Sequence, residues 1–283
     1  MKRCAFLTMD SLDGFFTYDD LVHTPLRERG WEIENVSWRA GVAWAAYDLV
    51  VVRSTWDYQD DPGAFMATLA AIEASGARLE NPLATMQWNL DKRYLRELEA
   101  AGVAIVPTVW SDAEAPATLS ELRSALGGGE IVVKPVVSAN ADHTYRLPPD
   151  APTEALAALQ GRNFMAQPFV DSIVTHGEYS VFHFAGEYSH AIVKTPKAGD
   201  FRVQEEHGGS LARIEPDERL RNAAQRAVDA APGELLYARS DFVEHGGELQ
   251  LMELELIEPS LYFNLDPASP ERFAAAIDGW VAR

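Results

Sequence analysis

Apolar and polar positions alternate in short blocks over about the first eighty residues, and the blocks switch between strand and helix periodicity. The last apolar run of this region, at residues 47–54, ends in Arg53 and Ser54, as expected of a parallel strand buried on both faces with a loop at its carboxyl end. This order of elements predicts an α/β unit with a parallel sheet. The pattern predicts strands at 3–8, 31–36 and 47–54 and helices at 19–29 and 62–75.

The remainder of the chain has shorter and more mixed elements, including two hairpins turned at glycines. We therefore expect α/β architecture with α+β lobes, divided into an N-terminal substrate-side domain (1–84), a small lobe (85–165) and a C-terminal lobe (166–283). Predicted helices are 83–101, 117–126, 153–159 and 217–230. Predicted strands are 103–110, 131–136, 164–170, 178–184, 188–194, 235–243 and 248–257.

Composition narrows the class of protein. The chain has 283 residues, 47% hydrophobic and 24% charged, which is enough to bury a full core. Its net charge of -19 disfavours a nucleic-acid partner, because phosphate contacts need a basic field. The single cysteine, Cys4, excludes internal disulfides, and no apolar run is long enough to span a membrane. We expect a cytoplasmic protein that binds neither nucleic acid nor membrane.

The segment 249–258 carries the clearest chemical signal. Strand alternation places Leu251, Glu253 and Glu255 on one face, so two carboxylates lie side by side among aliphatic residues. They need a cation between them, and oxygen ligands favour Mg²⁺ or Mn²⁺, although a solvated strand face is the ordinary alternative. Asp241 could add a ligand, but a regular two-residue turn would place it opposite Met252, so convergence with Glu253 requires an odd loop or a β-bulge.

Several cations are candidates for binding phosphate. Lys134 interrupts the apolar run 131–133, where it either faces a site or extends to water from an edge strand. Lys194 and Arg202 flank a loop that ends in His207-Gly208-Gly209, which could wrap phosphate or be an ordinary loop. Lys92 alone indicates little, since most helix lysines are exposed.

Other common sites find no support in the sequence. The chain lacks a Gly-x-Gly-x-x-Gly fingerprint, a Walker-type phosphate loop and a Gly-x-Ser-x-Gly elbow. Its seven histidines show no zinc-ligand spacing, and we interpret them as structural or incidental.

Taken in order, these residues resemble the ATP-grasp superfamily, and within it the glutathione synthetase and ribosomal-protein-glutamate ligase branch. The match runs from about Asn89 to Asn264 and includes the loop 194–202, His207-Gly208-Gly209 and the closing Glu253-Leu254-Glu255. The resemblance implies an ATP-grasp fold preceded by the parallel-sheet domain. The cyclising ligases of the cycloserine pathway are similar in the Arg53-Ser54 loop and the Glu-Pro-Ser-Leu ending.

The resemblance also implies residue roles. Lys92 and Lys134 would reach ATP phosphates, Gln167, Pro168 and Phe169 would read adenine through their main chain, and Glu178 would hold the ribose hydroxyls. Asp241, Glu253 and Glu255 would hold Mg²⁺, and Lys194 and Arg202 would be catalytic. Three departures from the family pattern are the segment 136–142 in place of a glycine-rich flap, Glu255 in place of asparagine, and Glu258-Pro259-Ser260 in place of Ser-Pro-Gly.

The implied activity is an ADP-forming ligation. The γ-phosphoryl group of ATP would pass to a carboxylate, and an amine or similar nucleophile would attack the acylphosphate. Partners would then be small carboxylate and nucleophile molecules, with a homodimer left open. Alternatives are a small-molecule kinase using the same nucleotide site and a non-catalytic nucleotide-binding module.

Substrate selection is expected in the N-terminal domain, where loops follow the carboxyl ends of parallel strands. Arg53 could clamp a carboxylate, Trp56 and Tyr58 could form walls, and Asp57 could hold an ammonium group. The alternative for Arg53 is an ion pair with Asp57.

Overall fold

The N-terminal part of the chain is a four-stranded parallel sheet in the order β2-β1-β3-β4 in the computed structural model, which describes residues 1–282. Its central strands are almost wholly buried because apolar runs occupy both of their faces. Asp61 caps helix α2 by accepting from the Ala64 N–H at 3.0 Å. The elements are β1 (Lys2–Thr8), α1 (His23–Glu28), β2 (Trp31–Ser37), β3 (Leu49–Ser54), α2 (Pro62–Ala74) and β4 (Arg78–Glu80).

The middle of the chain forms a smaller antiparallel sheet in the order β5-β8-β6-β7. The helix predicted over 83–101 is two helices, because Asp91 adopts an extended backbone conformation between them. The predicted strand 103–110 is reduced to a short strand at its end, and 153–159 is a 3-10 helix. The elements are α3 (Leu83–Leu90), α4 (Tyr94–Ala100), β5 (Val109–Ser111), α5 (Leu119–Ala125), β6 (Ile131–Pro135), β7 (Tyr145–Leu147) and β8 (Phe164–Pro168).

The C-terminal part is a five-stranded antiparallel sheet in the order β11-β10-β9-β12-β13. Both predicted hairpins are present in it. The elements are α6 (Ser172–Thr175), β9 (Glu178–Phe184), β10 (Glu187–Thr195), β11 (Ser210–Ile214), α7 (Glu218–Asp229), β12 (Tyr237–His245), β13 (Glu248–Glu255) and α8 (Ser269–Val281).

A shared core joins the first and last sheets. Phe6 and Val51 of the parallel sheet belong to one buried apolar cluster with Phe182 of β9 and Phe273 of α8. Tyr237 of β12 lies in the same cluster. Its hydroxyl is within hydrogen-bond distance of three carbonyl oxygens, those of Val52 (3.0 Å), Glu80 (3.2 Å) and Ile257 (2.8 Å). The N-terminal sheet is therefore packed directly on the C-terminal one.

The helices α3 and α4 hold the outer edge of β13. The Asn89 side chain donates to the Leu254 carbonyl (2.7 Å) and accepts from the Leu256 N–H (2.9 Å). The Tyr94 hydroxyl accepts from the Leu254 N–H at 2.8 Å. Buried backbone groups of a sheet edge need such partners, so these side chains fix the strand that carries Glu253 and Glu255.

The predicted division at 165/166 would cut β8, which pairs with both β5 and β6 in the small sheet. The three-domain division itself stays a prediction. None of the helices within residues 1–282 is both long enough and apolar enough to cross a membrane.

Candidate active site

One cavity is lined by residues from all three parts of the chain. The loop after β3 contributes Trp56 and Tyr58, and the C-terminal sheet contributes polar residues that face the cavity. The middle of the chain, from α3 to the loop after β8, contributes Lys92, Lys134, Gln167 and Phe169. Most predicted site residues therefore converge. Those that line the cavity are Trp56, Lys92, Lys134, Gln167, Phe169, Glu178, Lys194, Arg202, Asp241, Glu253 and Glu255.

A β-bulge aligns the carboxylates of β12 and β13. Phe242 pairs with Leu251 and Asp241 pairs with Glu253, so Met252 is the extra residue between them. This is the irregularity that convergence of Asp241 with Glu253 requires. It also corrects the predicted face of Leu251, which packs in the core while Met252 and Glu253 both line the cavity.

Two lysines from the small lobe meet Glu253. The Lys134 Nζ lies 2.6 Å from Glu253 Oε1, and the Lys92 Nζ lies 3.7 Å from the same oxygen. Lys92 also donates to the Ser138 carbonyl at 2.8 Å. Burial would raise the pKa of Glu253, but the ammonium groups of Lys134 and Lys92 hold it well below its ordinary value. Glu253 is thus a charged bridge between the two lobes.

A second set of ion pairs lies deeper in the cavity. Lys194 pairs with Glu178 and lies 3.3 Å from Asp241 Oδ2. Arg239 contacts Asp241 at 3.0 Å and also pairs with Glu255. Burial raises the pKa of Glu255 to about 7. The neighbouring carboxylates Asp241 and Glu253 add to this rise, and Arg239 opposes it. The two glutamates of one strand therefore differ strongly in proton affinity.

Arg239 is a site residue that the sequence analysis missed. It stands two positions before Asp241 on β12, and strand periodicity places both on one face. Its guanidinium also donates to the Ser260 carbonyl at 3.1 Å, which ties it to the loop after β13. An arginine two residues from a candidate ligand on a buried strand was the available signal.

The predicted adenine side is aromatic and apolar. The Phe169 ring lies under the Arg146 guanidinium, 3.6 Å from the ring centroid, and contacts Phe201 edge-on. Pro168 has no N–H, and the Phe169 N–H donates to the Glu130 carbonyl at 2.8 Å. Neither amide is therefore free for adenine, so Pro168 and Phe169 could contact adenine through the main chain only by their carbonyl oxygens.

The Gln167 side chain is also engaged. It donates to Thr108 Oγ1 at 3.1 Å, and the residue lies in β8 among the buried positions of the small lobe. Arg202 lines the cavity, but its guanidinium pairs with Asp200 in the same loop at 2.8 Å. A ligand would have to compete with Asp200 for that guanidinium.

Two predicted substrate residues do not line the cavity. Arg53 is fully buried, pairs with Asp19 at 3.0 Å and donates to the Pro259 carbonyl at 2.9 Å. The prediction that Arg53 binds a substrate carboxylate and the alternative that it pairs with Asp57 are both wrong, because the Arg53 guanidinium forms its ion pair with Asp19. Asp57 accepts from Trp38 Nε1 at 2.7 Å and pairs with Arg39.

Three carboxylates suitable for a divalent cation face the cavity, namely Asp241, Glu253 and Glu255. They are oxygen donors, which suits Mg²⁺. Within residues 1–282, no three acidic, histidine or cysteine side chains form a ready metal cluster, since lysines and Arg239 occupy these carboxylates.

Comparisons with known proteins point to one family. Residues 4–81 match the model of the N-terminal domain of D-cycloserine synthetase DcsG. The cycloserine biosynthesis protein DcsG of Streptomyces lavendulae is 31% identical over 268 residues, 89% of each chain. The crystal structure of D-cycloserine synthetase DcsG superposes with a TM-score of 0.86 at 28% identity and covers 99% of both chains.

More distant solved structures share the fold. D-alanine--D-alanine ligase from Bacillus anthracis in complex with ATP has a TM-score of 0.75 at 15% identity, covering 100% of this chain and 98% of the ligase. The ATP-grasp ligase PsnB, in complex with minimal precursor, Mg and ADP, has a TM-score of 0.66 at 16% identity, covering 99% and 98%.

Proposed function

The chain belongs to the DcsG family of ATP-grasp ligases, and from that premise we propose that its central cavity activates a small amino-acid-like carboxylate with ATP and Mg²⁺. The product of this step is an acylphosphate. An amine or related nucleophile then attacks the acyl carbon, an amide-type bond forms, and phosphate leaves after ADP has been formed.

Family membership confirms the predicted ATP-grasp fold class and ligase activity, and it supports the cycloserine-pathway ligases as the branch. Likeness to glutathione synthetase is only loosely supported.

The observation that carries the proposal is the convergence of cations and carboxylates on one cavity. Five cations line it beside six carboxylates, in a chain with net charge -19, and these cations are Lys92, Lys134, Lys194, Arg202 and Arg239. Transfer of a phosphoryl group needs positive charge around its oxygens, and fixed cations in a shielded cavity supply it without reorganisation. Cations that would bind phosphates, beside carboxylates that would bind Mg²⁺, suit a metal–nucleotide complex.

The residues fit a magnesium–nucleotide complex better than a free metal ion. The Lys134 and Lys92 ammonium groups that now pair with Glu253 would turn to the phosphates, which would release Glu253 to ligate the cation with Asp241 and Glu255. Bound Mg²⁺ would neutralise charge on the phosphoryl oxygens.

The other residues would position the reactants. Arg239 is placed by Asp241, Glu255 and the Ser260 carbonyl, and it would donate to the oxygens of the phosphorylated carboxylate. Loops would exclude water: the Phe15 ring packs on Trp56 at 5.5 Å, and the Tyr18 hydroxyl donates to the Glu205 carboxylate at 2.9 Å. A closed cavity shields an acylphosphate from hydrolysis.

The substrate class is proposed from the relatives. One relative is named for D-cycloserine synthesis and another for joining D-alanine to D-alanine, so a small amino acid or its derivative is the proposed carboxylate for this chain. One molecule could supply both carboxylate and nucleophile, as in a cyclising ligase.

Hydroxylamine trapping tests the reaction class. With ATP, Mg²⁺ and a panel of D- and L-amino acids, the protein should form a hydroxamate together with ADP and phosphate, because hydroxylamine intercepts the acylphosphate. Lys134→Ala should reduce trapping roughly a hundredfold by removing charge from the phosphoryl site. Lys197→Ala, a cation of the 196–209 loop that does not line the cavity, is the matched control.

The other results would decide against ligation. A stable phosphorylated acid with no phosphate released would identify a kinase. Absence of ADP formation across the panel, with ATP bound, would identify a non-catalytic nucleotide-binding protein.

A further inference from the structure

Glu258 lies on the wall of the cavity in the loop that follows β13. The Trp56 Nε1 donates to its main-chain carbonyl at 2.9 Å, and Tyr58 lines the same cavity. Its surroundings are therefore the two aromatic residues that the N-terminal domain contributes to the cavity.

The carboxylate of Glu258 differs from its neighbours in having no cationic partner. Glu178, Asp241, Glu253 and Glu255 each belong to at least one ion pair with a lysine or arginine. None of the ion pairs among residues 1–282 includes Glu258. A carboxylate withdrawn from water without a cation is costly, so a cation brought by a ligand would be stabilised there.

We propose that Glu258 is a specificity-determining residue that binds the ammonium group of the substrate. The inference rests on the proposed function, because it assigns a place to one end of the amino-acid-like substrate. Trp56 holds the main chain of Glu258 in place, and the aromatic walls formed by Trp56 and Tyr58 limit the size of the group that enters. The substrate carboxylate would extend from there toward Arg239, which reaches the same loop through Ser260.

The charge around Glu258 agrees with a cationic ligand group. Burial, reinforced by the neighbouring Glu255, raises the pKa of Glu258 to about 8. Lys92 and Arg239 oppose this rise in pKa, and a ligand ammonium group beside Glu258 would likewise favour its ionised form, whereas Lys134 and Lys194 are paired with Glu253 and Glu178 elsewhere in the cavity. Such a separation would orient a molecule that has an ammonium group at one end and a carboxylate at the other.

Binding of amino acids and their deaminated counterparts tests the proposal. Calorimetry would use protein saturated with Mg²⁺ and a non-hydrolysable ATP analogue, titrated with D- and L-alanine against propionate and with D- and L-serine against 3-hydroxypropionate. The unsubstituted protein should bind at least one amino acid about tenfold or more tightly than its counterpart, since a hydrogen bond to a charged group has roughly this effect on affinity. Glu258→Gln should abolish the preference and leave affinity for the counterpart unchanged.

Glu206→Gln is the matched control. Glu206 also lines the cavity and takes part in no ion pair within residues 1–282, so its substitution removes the same charge elsewhere on the wall. This variant should keep the preference for the amino acid. If Glu258→Gln does not fold, Glu258→Asp should show a reduced preference instead.

Other outcomes overturn the inference. The inference is wrong if Glu258→Gln keeps the preference for the amino acid, or if Glu206→Gln loses that preference equally. It is also wrong if the unsubstituted protein binds no amino acid. The increase in melting temperature caused by the ATP analogue alone reports on the proposed function separately, because Glu258 would take no part in binding the phosphates.

Discussion

Arg239 is the residue on which the deep part of the cavity depends. Its guanidinium contacts Asp241 and Glu255 at once, and it reaches the Ser260 carbonyl. Burial would lower its pKa, but Asp241 and Glu255 hold the pKa far above its ordinary value, so Arg239 stays charged. A permanently charged, planar group in a fixed place can bind either a carboxylate or a phosphoryl group.

Glu253 and Glu255 should respond oppositely to neutralisation when no metal or nucleotide is bound. Glu253→Gln should lower the free energy of unfolding, since Lys134 and Lys92 lose the carboxylate that they share. Glu255→Gln should raise it at neutral pH, because the pKa of Glu255 is raised to about 7 and ionisation there opposes folding. Denaturant unfolding in the presence of a chelator measures both effects.

The effect of Glu255 on stability should depend on pH. Between about pH 4.5 and 7 the folded state binds more protons at Glu255 than the unfolded state, so the stability of the unsubstituted protein falls as pH rises through this range. The advantage of Glu255→Gln should grow over this window to about 3 kcal/mol and stay constant above it. An equal stability difference at pH 5 and pH 8 would contradict this assignment.

Single residues show where sequence reasoning reaches its limit. Lys134 and the acidic strand could be found because a charge in an apolar run is unusual, whereas Lys92 was identified only through the family resemblance. Arg53 also ends an apolar run, yet its guanidinium is buried in the contact between the N-terminal sheet and the loop that contains Pro259. The sequence shows that such a charge needs a partner but does not show which one.

At the scale of elements, the β-bulge at Met252 determines the floor of the cavity. It lets Met252 and Glu253 face the same side while Leu251 stays in the core. A regular hairpin with the Gly246-Gly247 turn predicts alternation without interruption. The need for a bulge could be inferred from Asp241, but its position could not.

The edge of β13 gives a testable consequence. Asn89→Ala should destabilise the fold by about 2–4 kcal/mol, because the Leu254 carbonyl and the Leu256 N–H both lose a buried partner. Tyr94→Phe, which removes only the acceptor of the Leu254 N–H, should cost about half as much. Thermal unfolding of the two variants would measure this, and a change below about 0.5 kcal/mol in Asn89→Ala would show that the strand edge is held by packing alone.

Elements with strong periodicity were predictable, and those that depend on tertiary contacts were not. Three strands of the parallel sheet and both hairpins occur where the pattern places them, whereas the fourth strand, β4, was not predicted. The short strands β7 and β11 gain their structure from pairing with β6 and β10, and α8 packs on the shared core. Local sequence carries little signal for such elements.

At the scale of the whole molecule, the cavity lies where three sheets meet. Its ion pairs connect the small lobe to the C-terminal sheet through Lys134 and Glu253, and Arg53 connects the N-terminal sheet to the loop after β13. A ligand in this cavity would contact groups from each part. Nucleotide binding should therefore raise the free energy of unfolding of the entire chain.

The final prediction is that MgATP raises the melting temperature more than either ATP with a chelator or AMP with Mg²⁺. A ligand that binds only the native state adds about 2.7 kcal/mol at a hundred times its dissociation constant, which is a shift of roughly 5 °C for a chain of this size. AMP lacks the phosphates that Lys92 and Lys134 would hold, and ATP alone leaves the carboxylates of β12 and β13 facing the phosphates without a cation.

Lys134→Ala separates these contributions. This variant should lose most of the difference between ATP and AMP while keeping the smaller shift from AMP, because the aromatic wall around Phe169 is unchanged. Differential scanning fluorimetry at millimolar nucleotide provides the measurement. Equal shifts for AMP and ATP in the unsubstituted protein would mean that the cations of the cavity do not bind the phosphate chain, and the assignment of Lys134 to ATP would then be wrong.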